Sequence, residues 1–134
     1  MDEAELIRAA SQARHEAYAP YSGFRVGAAV LCDDGRVFTG ANVENAVYGL
    51  SICAERVAMS NAVSEGCRRF KALAVIAEGT TPCPPCGACR QYLAEYGAES
   101  YVIMANTKGD TKKVPIKELL PYAFTNERLF VDKG

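Results

Sequence analysis

The uninterrupted run Leu73-Ala74-Val75-Ile76, inside an apolar stretch from Phe70 to Ala77, most limits what this chain can fold into. A strand with no polar face must be covered on both sides. The segments around it supply the covers. From Glu3 to Tyr18, residues Leu6, Ile7, Ala10, Ala13 and Ala17 recur at helical spacing, and Pro20 ends the segment because proline cannot continue a helix. Phe24 to Leu31 reads as a strand with Phe24, Val26, Ala28 and Val30 on one face. Asp33-Asp34-Gly35 makes a hairpin turn, and Arg36 to Gly40 returns as a second strand. A polar loop from Ala41 to Ile52 leads into a helix from Cys53 to Glu65, stopped by Gly66. After the buried strand come a proline-rich loop from Gly79 to Pro85 and a helix from Cys86 to Tyr96 closed by Gly97. A strand from Tyr101 to Ala105, a turn at Lys108-Gly109-Asp110 and a short helix from Ile116 to Leu120, begun by Pro115 at its first position, complete the chain. This order predicts a three-layer α/β/α sandwich with a central mixed sheet, its first strand pair an antiparallel hairpin and its later strands joined by parallel crossovers.

The length of 134 residues suits one domain, expected to span residues 1–134. Fifteen basic residues face sixteen acidic ones, for a net charge of -1. A polyanion-binding protein needs clustered Lys and Arg, and the densest basic spots, Arg68-Arg69 and Lys112-Lys113, are short. Neither nucleic acid nor membrane is therefore expected as a partner. Met1-Asp2-Glu3 is acidic where a secretory leader is basic, and no apolar run is long enough to span a bilayer, so a cytoplasmic location is expected. In a reducing compartment the six cysteines should be thiols, and their spacing points to metal or catalysis rather than to bridges.

Cys86 and Cys89 fall on one face of a helix, one turn apart, and Cys53 opens another helix. Three such ligands leave a tetrahedral zinc with one open position, which separates a catalytic from a structural site. Helix starts favour thiolates through their free N–H groups and positive dipole end. Zinc with three thiolates is still net negative, and Arg56, three residues beyond Cys53, is the candidate counterweight. Glu55, two residues beyond Cys53, is placed for general base and then general acid work. Cys83 leaves the count open. With Cys86 it forms a C-x-x-C that elsewhere is a redox pair, it could replace Cys53 as a ligand, or it is a spare thiol. Cys32 and Cys67 read as small core or surface residues, and the lone His15 is given no catalytic role.

Cys53-Ala54-Glu55-Arg56 followed by Pro85-Cys86-Gly87-Ala88-Cys89-Arg90 resembles the signature of the zinc cytidine deaminases. Tyr18-Ala19-Pro20-Tyr21-Ser22, Phe24-Arg25-Val26-Gly27-Ala28-Ala29, Asn42-Val43-Glu44-Asn45-Ala46 and Glu118-Leu119-Leu120-Pro121 extend the resemblance to the small homotetrameric cytidine deaminases over nearly the whole chain. The resemblance implies one zinc per subunit on Cys53, Cys86 and Cys89, with Glu55 as the proton-transferring residue. It implies hydrolysis of cytidine and deoxycytidine to uridine and deoxyuridine, with loss of ammonia, in pyrimidine salvage. It further implies that Asn42 and Glu44 bind ribose hydroxyls, Phe24 walls the pocket, and Ala54 offers backbone groups to the pyrimidine edge. Tyr48 and Phe124 match positions that reach into a neighbouring subunit's pocket. Without the cysteine segments, Asn42 and Glu44 would read as loop caps, Phe24 as core and Arg56 as surface. Two other readings stand beside this one: a deaminase of free cytosine, guanine or a nucleoside antibiotic, and a non-catalytic zinc or redox domain.

Overall fold

Strand β3 (Phe70–Ala77) occupies the middle of a five-stranded sheet in the computed structural model, which describes residues 1–130. Its neighbours are β1 (Val26–Cys32), β2 (Val37–Ala41), β4 (Tyr101–Asn106) and β5 (Thr111–Pro115), in the spatial order β2-β1-β3-β4-β5. The β3–β4 pair is parallel and the other three pairs are antiparallel, so the sheet is mixed as expected. Side chains along β3 alternate between two cores, as the twofold period of a strand requires. Leu73, Val75 and Ala77 join one, while Ala72, Ala74 and Ile76 join the other. Only Lys71 along this strand is exposed.

Helix α1 (Glu3–Arg14) covers the second core with Leu6 and Ala10. Its start is fixed by Asp2, whose carboxylate accepts the Glu5 N–H at 2.8 Å, and its acidic first turn and basic Arg14 suit the helix dipole. Helices α2 (Ala54–Ser64) and α3 (Gly87–Tyr96) cover the other face, burying Ala58, Met59, Ala62 and Leu93. Two glycines set how closely the layers meet. A Cβ on Gly27 would stand 2.0 Å from the Ala10 carbonyl oxygen, so α1 lies directly on β1. A Cβ on Gly40 would stand 2.5 Å from the Ala58 nitrogen and 2.8 Å from the Ala54 oxygen, so α2 lies directly on β2.

The structure departs from the sequence expectations in five places. Helix α1 stops at Arg14 rather than running to Tyr18, because the Tyr18 backbone is taken by the next loop: its N–H donates to Asn42 O and its carbonyl accepts Glu44 N–H, both at 2.9 Å. Strand β5 was not expected. It is a polar edge strand in which Val114 alone is buried, so it carries little apolar pattern. Pro115 ends that strand and precedes α4 (Ile116–Leu119) instead of occupying its first turn. A 3₁₀ turn (Tyr48–Leu50) lies in the 41–52 loop, and a short helix α5 (Asn126–Phe130) follows the tail. Lastly, Cys32 and Cys67 are joined in a disulfide rather than standing as separate thiols. Cys32 ends β1 and Cys67 follows α2, so buried positions 35 residues apart meet only through the fold. Among the described residues, no helix is long and apolar enough to cross a membrane.

Because α2 rests on bare backbone at Gly40, Gly40→Ala is expected to lower stability by ~1–3 kcal/mol in chemical denaturation. Gly49→Ala, whose Cβ would meet nothing within 4 Å, should change stability by less than ~0.5 kcal/mol. Equal effects from the two substitutions would show that the contact between α2 and β2 tolerates a methyl group.

Candidate active site

Both helices on the sheet face opposite α1 open on a cysteine. Cys53 is the N-cap of α2 and Cys86 the N-cap of α3, with Cys89 in the first turn of α3. Neither cap makes a side-chain hydrogen bond to its helix, and the first N–H groups of both helices have no partner within the helix. Local packing brings the two helix starts together. Val43 and Ile52 exchange backbone hydrogen bonds of 3.0 and 2.8 Å, closing the 41–52 loop just before Cys53. Ser60 Oγ and Tyr92 Oη lie 2.8 Å apart and tie α2 to α3. The Arg90 guanidinium donates to Pro85 O and Leu119 O, each at 2.9 Å, and so anchors the loop ahead of Cys86 to the end of α4.

The sulfurs of Cys53, Cys86 and Cys89 all lie within 4.8 Å of one another and form a group able to hold a metal ion. Cys53 and Cys86 sulfurs are 3.9 Å apart, and those of Cys86 and Cys89 are 3.4 Å apart. Zinc–sulfur bonds of ~2.3 Å in a tetrahedron require sulfurs ~3.8 Å apart, so this donor set fits zinc. Cys83 stands outside the group, its thiol directed to the Pro84 carbonyl at 3.7 Å. Burial and the charge of Glu55 push the Cys83 pKa up to about 11, which keeps it a neutral thiol.

Charge is shared unevenly among the three sulfurs. Hydrogen bonding from Cys89, with help from Arg56 and Cys86, pulls the Cys53 pKa down to about 5. Its hydrogen bond to Cys53 pushes Cys89 in the opposite direction, so the group holds its first negative charge on Cys53. Arg56 donates from Nη2 to the Cys53 sulfur at 3.6 Å, as its spacing predicted, and this bond raises the arginine's own pKa. Glu55 is 5% exposed. Burial foremost, and then the nearby Cys53 charge, push its pKa up to about 7.

An open cleft of about 250 Å³ lies over Cys53 and Cys86. Phe24, Asn42, Glu44, Ala54 and Glu55 line it, all expected from the sequence, and Cys83 and Pro84 close one side. Phe24 is 48% exposed, so it is not a core residue. Asn42 is held by β1: its Oδ1 accepts the Val26 N–H at 2.9 Å and its Nδ2 donates to Phe24 O at 2.8 Å. Glu44 accepts the Tyr21 and Ser22 N–H groups, and its hydrogen bond from the Ser22 hydroxyl is the main reason its pKa is lowered. Tyr48 and Phe124 do not line this cleft; they are 74% and 60% exposed. Sequence reasoning missed Cys83 and Pro84 as walls and Ser22 as the partner of Glu44. No spacing rule links positions 22 and 44, which meet only when the 18–22 segment folds over the 41–52 loop.

This arrangement has close counterparts. A model of the cytidine and deoxycytidylate deaminase zinc-binding region matches residues 1–105. Over 128 residues the chain is 54% identical to a cytidine deaminase of Halalkalibacterium halodurans, covering 95% of this chain and 97% of that one. The crystal structure of cytidine deaminase from Burkholderia pseudomallei matches with a TM-score of 0.89 at 50% identity, covering 92% of this chain and all of that one. Cytidine deaminase from Mycobacterium tuberculosis matches with a TM-score of 0.79 at 43% identity, covering 92% of this chain and 98% of that one. The chain therefore belongs to the cytidine and deoxycytidylate deaminase family, and within that family it is a hydrolase of the cytidine deaminase type with the α/β fold of that group.

Glu55 yields a stability prediction for the metal-free protein. Its folded pKa of about 7 lies above the ordinary 4.5, so between these values the folded chain keeps a proton that the unfolded chain has lost. The destabilisation from burying its charge is absent below pH 4.5 and complete above pH 7. Glu55→Gln should therefore stabilise chelator-treated protein by ~3 kcal/mol above neutrality and by close to nothing in the acid range. A gain of the same size at both ends, measured by denaturant titration, would contradict a raised Glu55 pKa.

Proposed function

We infer that this protein hydrolyses cytidine and deoxycytidine to uridine and deoxyuridine, releasing ammonia. The observation that carries this reading is a protonatable, buried Glu55 beside a three-sulfur group with no fourth Cys, His, Asp or Glu ligand among the described residues. Cys53, Cys86 and Cys89 would hold one zinc per subunit, with Arg56 offsetting the negative charge they gather. Bound zinc supplies Lewis acidity to water and to the reacting carbon.

The remaining work falls to the chain. Water adds across the C4=N3 bond with one of its protons going to N3; the C4–N4 bond then breaks as the second proton passes from the new hydroxyl to the departing amine, leaving a C4 carbonyl and ammonia. Glu55 lines the cleft and has a pKa of about 7, so it can both take and return a proton near neutral pH. One carboxylate suffices because the proton it removes is the proton it delivers. The free N–H groups at the start of α2, Ala54 first, suit the acceptor atoms of the pyrimidine edge. Asn42 and Glu44 offer a donor and an ionised acceptor to sugar hydroxyls, and the carboxylate would repel a phosphate, which favours nucleosides over nucleotides. Phe24 forms the flat wall beside the base.

The reading extends to a single-domain, cytoplasmic homotetramer acting in pyrimidine salvage. The 41–52 loop supports the oligomer: Val43, Val47, Tyr48, Leu50 and Ile52 are between 43% and 74% exposed, an apolar surface suited to burial against another copy. Tyr48 on that loop and Phe124 near the C-terminus would complete a neighbour's pocket. A structural zinc site is disfavoured because Cys83 lies outside the sulfur group.

Zinc-loaded protein should convert cytidine to uridine, followed by ultraviolet absorbance. Glu55→Gln should keep its zinc and lose ~10²–10⁴-fold in turnover. Unchanged cytidine after long incubation would overturn the activity, and loss of metal in the variant would make Glu55 a ligand rather than a proton carrier.

A further inference from the structure

The Glu44 carboxylate is largely occupied before any ligand arrives. Its Oε1 accepts the backbone N–H groups of Tyr21 and Ser22 at 3.0 and 3.1 Å, and its Oε2 accepts the Ser22 hydroxyl. An ionised carboxylate offers about four lone-pair positions, so one remains, on Oε2. The Ser22 oxygen is committed in both directions, since it also accepts the Phe24 N–H at 3.0 Å. The Phe24 carbonyl accepts from Asn42 Nδ2, and Asn42 Oδ1 accepts from the Val26 N–H. Glu44, Ser22, Phe24 and Asn42 thus form one continuous series of hydrogen bonds. Ser22 is the member of that series that does not line the cleft.

A glutamate on a flexible stem loses rotamer freedom when it binds a ligand, and a carboxylate already held in place has less to lose. We propose that Ser22 is a positioning residue for sugar recognition: its hydroxyl holds the Glu44 carboxylate, and through Phe24 the Asn42 amide, in the arrangement that receives a nucleoside hydroxyl. This rests on the reading of Asn42 and Glu44 as sugar-binding groups. Ser22 acts on binding and not on proton transfer, so its effect belongs in KM and only with substrates that carry a 2′ or 3′ hydroxyl.

The test compares kcat/KM for cytidine and for 2′,3′-dideoxycytidine in the zinc-loaded protein and in Ser22→Ala, Ser22→Thr and Glu44→Gln. Ser22→Ala is expected to lower the cytidine-to-dideoxycytidine ratio ~10-fold, through KM, with kcat for cytidine within about twofold of the parent. Ser22→Thr, which keeps the hydroxyl, should restore most of the ratio. Equal losses on both substrates in Ser22→Ala would mark a merely structural residue and overturn the proposal, as would an unchanged ratio. Glu44→Gln separates the two claims. If it lowers the preference for cytidine while Ser22→Ala leaves the ratio unchanged, only the role of Ser22 falls; if it leaves the preference intact, the sugar reading falls and the role of Ser22 with it.

Discussion

Everything at this site depends on two helix starts meeting at one point. Sulfurs 3.4 and 3.9 Å apart require α2 and α3 to be located to within a fraction of an ångström, and most of the core beneath these two helices serves that end. Gly40 lets α2 lie on the backbone of β2, Met59 and Leu93 fill the space beneath, and Ser60 and Tyr92 join the helices. The open N–H groups and dipoles of both helices then favour negative charge at their shared end. A group of thiols that would otherwise repel one another as thiolates becomes a ready donor set.

Burial first, and then that same charge, sets the behaviour of Glu55. A carboxylate beside a thiolate and out of water gives up its proton reluctantly, so the residue suited to moving protons is also one whose burial works against stability. Arg56 offsets part of this field by donating to Cys53. Cys83, only three residues before Cys86, receives no such support and stays neutral. Distance along the chain therefore does not decide which cysteines join the three-sulfur group; the helix starts do.

Residues whose placement follows from local pattern were legible in the sequence. The buried β3 keeps the bounds of its apolar run, and Cys53, Glu55, Arg56, Cys86 and Cys89 meet because helical spacing and helix starts are local properties. Features made by distant segments were not. Helix α1 loses its last turn to pairing of Tyr18 with Asn42 and Glu44. Strand β5 exists because it pairs with β4, not because of its own polar sequence. The Cys32–Cys67 disulfide and the Ser22–Glu44 hydrogen bond join positions that no periodicity relates. The role of Ser22 is hidden for the same reason, since it acts through a residue twenty-two positions away.

The proposed chemistry stands on a three-sulfur metal centre with one position left open. Zinc X-ray absorption on the metal-loaded protein tests it most directly, because the method counts sulfur neighbours without reference to activity. Three sulfurs at ~2.3 Å and one lighter neighbour are expected, unchanged in Cys83→Ala. Four sulfurs that become three in Cys83→Ala would contradict it, because the centre would then be closed and structural.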